Sequence, residues 1–294
     1  MRIEGCLSAI PTPFNAKNEI DEKALATHAL WMVESGCSGV VVCGTTGESA
    51  TMSNDEKIRA IQVVSEALAG KAIVIGGAGN NSTSESLEFV ERVNREVKVD
   101  AIMSVVPYYT KPPQAGIQAH FTAIADASRA PVVIYNVPSR SVVSMTPRTM
   151  LDLLDHPNIV SCKEASGDIH VAAKLVSELD GRGTLLSGDD GTSGAFVSIG
   201  GHGVISVASN VAPSVMSDLV EAAAAGDRNG VIYNNKIVAR LQDMLFSFSS
   251  PVPTKVILEH FGFCSSRVRL PLVGMDQKDA ELLCLEIDQM GLTR

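Results

Sequence analysis

One lysine sits in a setting that calls for an explanation. The run Ile159-Val160-Ser161-Cys162-Lys163-Glu164 reads as a β-strand, and period-two alternation places Ile159, Ser161 and Lys163 on one face and Val160 and Cys162 on the other. If both faces of that strand are covered, an ammonium there must find a partner or be put to use, because an unpaired buried charge is costly. At its ordinary pKa of about 10.4 a lysine is almost wholly protonated at pH 7, and each unit of depression by burial yields roughly tenfold more nucleophile. Two readings are open on this strand alone: a lysine that forms a Schiff base with a carbonyl substrate, or one paired with Glu164 or reaching to the rim.

Other runs end in residues that would serve the first reading. Tyr135-Asn136-Val137-Pro138-Ser139-Arg140 offers a phenol that can shuttle protons and an arginine that can grip a carboxylate with two N–H donors. Gly44-Thr45-Thr46-Gly47-Glu48-Ser49 presents backbone N–H groups and two hydroxyls to a small anion; it is too short for a P-loop and lacks its lysine. Pro107-Tyr108-Tyr109 supplies two more phenols, one of which suits an interface plug. Ser187-Gly188-Asp189-Asp190-Gly191 has paired carboxylates, but no further carboxylates or histidines complete a metal shell, so Asp190 is expected to be a helix N-cap and no metal is expected.

These residues must be positioned by the elements that carry them. Apolar or β-branched runs recur every 20 to 35 residues or so: Cys6–Ile10, Val40–Cys43, Ala72–Ile75, Ala101–Val106, Val132–Tyr135, Ile159–Lys163, Thr184–Ser187 and Val204–Val207. Helical periodicity fills most of the gaps, for instance Asp21–Ser35, Ser53–Ala69, Ser82–Val97, Gln114–Ala127 and Asp168–Leu179, several opened by Ser or Asp. Eight alternations in a row favour an α/β fold of the (β/α)8 TIM-barrel kind, in which catalytic groups occupy the C-terminal ends of strands. An open doubly wound sheet would want a glycine-rich phosphate turn after its first strand, where this chain has Pro11-Thr12-Pro13-Phe14. Gly200-Gly201-His202-Gly203 precedes the eighth strand and so belongs to the opposite face. Residues 1–212 are assigned to the barrel, and 213–294 to its last helix and a C-terminal helical extension, with helical stretches near Pro213–Ala225, Val231–Phe246, Val252–Phe261 and Gln277–Met290.

Composition narrows the partners. Of 294 residues 45% are hydrophobic, enough for a large core, and the net charge of −9 disfavours nucleic acid, whose phosphates demand Lys and Arg. No run approaches 18 apolar residues and no leader-like segment opens the chain, so no membrane contact and a cytoplasmic location are expected. The six cysteines, without a C-x-x-C pair, read as reduced core residues.

Taken together, Gly44-Thr45-Thr46-Gly47-Glu48-Ser49, Pro107-Tyr108-Tyr109, Tyr135-Asn136-Val137-Pro138-x-Arg140 and Lys163-Glu164-Ala165-Ser166-Gly167-Asp168 resemble the dihydrodipicolinate synthase family over nearly the whole chain. The resemblance implies a pyruvate-dependent aldolase-type barrel that condenses pyruvate with aspartate 4-semialdehyde on the route to lysine and diaminopimelate. It needs no separate cofactor, because the imine of pyruvate on Lys163 is itself the electron sink. By the same resemblance Thr45 and Thr46 hold the pyruvate carboxylate, Tyr135, Thr46 and Tyr109 form a proton relay, and Tyr109 reaches in from a neighbouring subunit. Gly188 and Ile205 line the pyruvate pocket, and Arg140 binds the carboxylate of the semialdehyde. A homotetramer built as a pair of tight dimers is implied.

In lysine-inhibited members the effector site resembles the region of Ser49, Ala50, Asn81, Glu85 and Tyr108, with His or Glu where this chain has Lys57 and often His where it has Asn54. The Lys57 cation would oppose the effector's ammonium, so weak or absent feedback inhibition is expected. Two rivals remain. Another lyase of the superfamily, such as N-acetylneuraminate lyase or a keto-deoxy-sugar aldolase, shares the lysine and the tyrosine, but Thr45 and Arg140 favour the synthase. A barrel that has lost catalysis would be expected to lack one of these residues, and none is missing.

Overall fold

The computed structural model describes residues 1–294. Its strands are β1 (Gly5–Ala9), β2 (Gly39–Val42), β3 (Ile73–Gly77), β4 (Ala101–Val105), β5 (Val132–Asn136), β6 (Ile159–Glu164), β7 (Thr184–Ser187) and β8 (Gly203–Ser206). They form a closed parallel barrel in sequence order, sealed where β1 pairs with β8 through Leu7 opposite Ile205. The expected TIM barrel is the fold of the chain.

The helices between strands are α1 (Glu22–Glu34), α2 (Asn54–Leu68), α3 (Thr83–Glu96), α4 (Gln114–Ala127), α5 (Pro138–Ser141), α6 (Pro147–Leu154), α7 (Ile169–Glu178) and α8 (Asp190–Ser198). After β8 come α9 (Pro213–Ala225), α10 (Arg228–Leu245), α11 (Val252–His260) and α12 (Gln277–Gln289). Side-chain caps fix where several begin: Asp21, Ser53, Ser82 and Asp168 each accept a backbone N–H from the first turn that no intrahelical carbonyl can take. At α2 Glu56 returns the bond to the Ser53 backbone, completing a capping box.

Period-two alternation along the strands sorts the apolar residues into two cores. Inside the barrel lie Ile3, Leu7, Ala9, Val41, Ile75, Ala101, Met103, Val133, Tyr135, Val137, Leu186 and Ile205. The larger core, between strands and helices, takes the outward residues, among them Val40, Val42, Ile102, Val132, Ile134 and Cys162. No helix is long and apolar enough to cross a membrane.

Several expectations need correction. Ile159 does not share a face with Ser161 and Lys163: a bulge lets the register jump from Val132–Ile159 to Val133–Ser161, and Ile159 joins the outer core. Asp189, not Asp190, caps α8, its Oδ2 accepting from the Thr192 N–H at 3.0 Å. Asp190 is buried and accepts instead from the backbone N–H of Val207 and Ala208, at 2.9 and 2.7 Å. Two adjacent aspartates satisfy the cap pattern equally well in sequence, and only the course of the chain decides between them. α10 begins three residues before the expected start, because Asp227 caps a first turn whose Asn229 and Gly230 are poor helix formers. Of the cysteines, all free, Cys264 and Cys284 are half-buried rather than core.

His28 on α1 is buried between Trp31 and Phe263, with ring centroids 6.0 and 5.4 Å away. Desolvation pulls its imidazole down to about 4. Because the folded value lies below the ordinary 6.5, the unfolded chain binds the extra proton between pH 6.5 and 4, and stability falls as pH drops through that window. In denaturant titrations from pH 7 to 5, His28→Leu is expected to flatten this loss by up to about 1.4 kcal/mol per pH unit; an unchanged slope would show that His28 is not a source of it.

Candidate active site

The site is built at the C-terminal ends of β5 and β6, where register sets Tyr135 opposite Lys163 and Lys163 opposite Leu186. All three point into the barrel. Lys163 is only 5% exposed and its Nζ lies 4.4 Å from the centre of the Tyr135 ring. Burial pulls the amine down to about 8; the negative charge of Asp190 opposes this and the positive charge of Arg140 adds to it. At that value about a tenth of the amine is neutral at pH 7, against well under a thousandth for an ordinary lysine. Burial also pushes the Tyr135 phenol up, partly countered by the Arg140 charge and the nearby Thr45 side chain. The phenol therefore keeps its proton at neutral pH and can lend it.

The alternative pairing of Lys163 with Glu164 is not what the fold builds. Glu164 accepts from Asn136 Nδ2 at 2.9 Å, the Ser166 N–H at 3.1 Å and the Ser166 hydroxyl at 2.7 Å. Asn136 Oδ1 in turn accepts from the Met145 N–H at 3.0 Å, closing the loop that carries Arg140. This support was not read from sequence, where Glu164 was considered only as a partner for Lys163 and Asn136 had no assigned role.

Backbone geometry brings in two more elements. Gly188 donates its N–H to the Glu164 carbonyl at 2.7 Å, and a Cβ there would stand 2.5 Å from the Ala165 Cβ and 2.8 Å from the Lys163 Cε. Only glycine permits this approach. The loop after β2 turns on itself, Gly47 N–H to Gly44 carbonyl and Glu48 N–H to Thr45 carbonyl, each 3.1 Å. Thr46 is buried and Thr45 exposed at its tip. Ile205 on β8 is buried in the same inner core as Tyr135. Cys43 and Cys162 are buried with their thiols pushed up, Cys43 to about 12, so neither is a nucleophile at neutral pH.

Arg140 lies on the short helix α5, exposed at the rim, close enough for its charge to act on both Lys163 and Tyr135. Tyr109 stands apart: it is 86% exposed with left-handed backbone, φ 72°. Of the expected effector residues, Ser49, Asn54, Lys57 and Glu85 line one small cavity of about 30 Å³. Asn81 donates to the Tyr108 carbonyl at 3.3 Å, and Ala50 is exposed outside that cavity. Lys57 Nζ lies 5.6 Å from the Phe89 ring centre, its pKa lowered by burial and partly restored by Cys43 and Glu85.

A sealed barrel holding a neutralisable amine beside a protonated phenol, with hydroxyls and a guanidinium at the rim, is equipped for Schiff-base chemistry on a small keto acid. The chain belongs to the Dihydrodipicolinate synthetase family, whose model matches residues 2–289. It is 39% identical over 278 residues to the 4-hydroxy-tetrahydrodipicolinate synthase of Listeria innocua, covering 94% of this chain and 95% of that one. To the enzyme of the same name from Methanopyrus kandleri it is 41% identical over 293 residues, 99% and 97% of the two chains. Among solved structures, the chloride-inhibited dihydrodipicolinate synthase from Acinetobacter baumannii complexed with pyruvate superposes with a TM-score of 0.95 at 35% identity, over 99% of each chain.

Adding a methyl group at Gly188 tests the close approach. Gly188→Ala is expected to displace the Lys163 side chain and lower turnover by about 100-fold, with a stability loss of roughly 1–3 kcal/mol. Wild-type turnover in the folded variant would mean that the two backbones can separate without consequence.

Proposed function

We propose that this chain condenses pyruvate with aspartate 4-semialdehyde to give 4-hydroxy-tetrahydrodipicolinate, through an imine on Lys163. The observation that carries the proposal is the Lys163–Tyr135 pair, an amine pulled down to about 8 within 4.4 Å of the ring of a buried phenol. Neutral Nζ attacks the keto carbon of pyruvate, and the carbinolamine loses water to form the imine. The iminium withdraws electrons from the adjacent methyl group, which loses a proton and attacks the aldehyde carbon. The amino group of the semialdehyde half then displaces Lys163 from the imine carbon, closing the ring and freeing the amine without a second water.

In this reading Thr45 and Thr46 hold the pyruvate carboxylate, with the Ile205 and Gly188 segments forming the rest of the pocket. Protons pass along Tyr135, Thr46 and Tyr109, and Tyr109 is donated by a neighbouring subunit. The 86% exposure of Tyr109 supports that donation, since a phenol on a constrained turn is left without cover in the single chain. The assembly is then an oligomer, a tetramer built from tight dimers, working in the cytoplasm. Arg140, whose charge acts on both Lys163 and Tyr135, grips the semialdehyde carboxylate.

Borohydride reduction with pyruvate present should leave a single reduced adduct, mapped by peptide mass spectrometry to Lys163, and none in Lys163→Ala. The adduct should form faster as pH rises, about tenfold per unit, and level off near pH 8, because the reactive form is the deprotonated amine. Folded protein giving no adduct would overturn the proposal.

The half-buried Lys57 places a cation beside Glu85 in the effector cavity, which opposes a second ammonium there. Lysine is therefore expected to inhibit weakly or not at all; half-maximal inhibition at submillimolar lysine would refute this. Should it hold, Lys57→His is expected to raise lysine sensitivity.

A further inference from the structure

The loop that carries Thr45 and Thr46 is held from behind by residues more than 200 positions away in sequence. Glu48, which ends the loop, is 4% exposed and adopts a left-handed backbone, φ 56°, that non-glycine residues seldom take. Both of its carboxylate oxygens are engaged by the C-terminal extension. Oε1 pairs with the ammonium of Lys255 on α11, and Oε2 accepts from the Arg269 N–H at 2.9 Å. Lys255 is fully buried and donates again to the Arg267 carbonyl at 2.8 Å.

The partners are themselves anchored. Arg269 forks onto Glu56 of α2 at 2.9 and 2.5 Å and donates to the carbonyls of Thr51 at 3.1 Å and Asn18 at 2.6 Å. The Phe14 ring lies under both cations, 4.3 Å from Lys255 Nζ and 4.1 Å from the Arg269 guanidinium carbon. Around Lys255, Val252 to Leu258 are all buried, so α11 cannot shift without opening the outer core. From the barrel side Thr12 donates to the Gly47 carbonyl at 2.7 Å.

A buried ion pair is a poor way to gain stability, since desolvation offsets most of the attraction, but it fixes direction. Here it fixes the carboxylate of the residue that closes the Gly44–Glu48 turn. We infer that Glu48 and Lys255, with Arg269, are positioning residues that lock the Thr45–Thr46 loop in its pyruvate-binding shape, making the C-terminal extension a determinant of pyruvate affinity. This rests on the proposed role of that loop. None of the three is placed against the reacting atoms; they act through the backbone of the loop.

The test compares Lys255→Met, the charge-free double variant Glu48→Gln/Lys255→Met and Arg269→Met. For each, the pyruvate concentration giving half-maximal borohydride-trapped adduct is measured, with the KM of both substrates and the melting temperature. Lys255→Met leaves a carboxylate buried and unpaired and should lose stability. The double variant should recover most of that stability while its half-saturating pyruvate stays raised by roughly 10-fold or more, and the KM for the semialdehyde moves by less than about threefold. At saturating pyruvate the adduct should still form fully.

A folded double variant with wild-type pyruvate half-saturation overturns the inference. If the double variant does not fold, Arg269→Met decides, because it keeps the backbone N–H on Glu48 but removes the side-chain bonds to Glu56, Thr51 and Asn18 that hold that N–H in place: a rise of about 3-fold or more supports the clamp, and no rise overturns it. Thr45→Val and Thr46→Val, measured alongside, separate the two layers. If they leave pyruvate affinity unchanged while the clamp variants alter it, the hydroxyl roles fail and the clamp stands, acting through the loop's backbone.

Discussion

Taking the Lys163 ammonium out of water is the step on which the rest of the site depends. In a closed parallel barrel no strand face is left to solvent, so an amine on the inner face loses hydration on every side but the mouth. The fold supplies no direct carboxylate partner to restore what is lost. Glu164, the neighbouring residue in sequence, is occupied by Asn136 and Ser166, and the negative charge that acts on the amine is that of Asp190, itself tied to the Val207 and Ala208 backbone. The amine is thus left partly unsatisfied, which is the condition for nucleophilicity at neutral pH.

The surrounding structure keeps that condition from collapsing. Strand register determines that Tyr135 flanks the amine, and Gly188 lets the next strand end approach closely enough to confine its Cε. The Asn136–Glu164 bond and the Met145 N–H tie the loop bearing Arg140 to the strand bearing Lys163, so the guanidinium and the amine are spaced by a shared network. Each contact is modest in free energy, yet together they reduce the number of shapes the mouth can take.

Much of this was legible in the chain. Strand and helix alternation exposed the barrel because each element follows a period of its own, and the caps at Asp21, Ser53, Ser82 and Asp168 are local signals that tertiary packing left intact. The reach of local pattern ended where geometry depends on a partner strand. The bulge before Ser161 rotates Ile159 to the outer core, and nothing within Ile159–Glu164 announces it, since the missing alternation appears only against β5. The short helices α5 and α6 were not among the expected helical stretches; each begins with a proline, Pro138 and Pro147, at a first-turn position where its missing N–H costs nothing. Lys163 and Tyr135 stood out as candidates because an amine and a phenol are uncommon at the ends of buried strands, whereas Thr45 and Arg140 gained their specific roles only through the family resemblance. Glu48 and Lys255 were not paired, because a contact across 207 residues leaves no periodic trace.

That same separation orders events in time. A chain emerging from the ribosome completes β1 to β8, and with them Lys163 and Tyr135, some fifty residues before Lys255 exists. Until then neither of the contacts that the C-terminal extension makes with the Glu48 carboxylate can form. Contacts of such long range are the slow ones in folding. The segment that carries the Lys163 amine is therefore synthesised well before the residues that hold the Thr45–Thr46 loop, so the two parts of the proposed site enter the chain at different times.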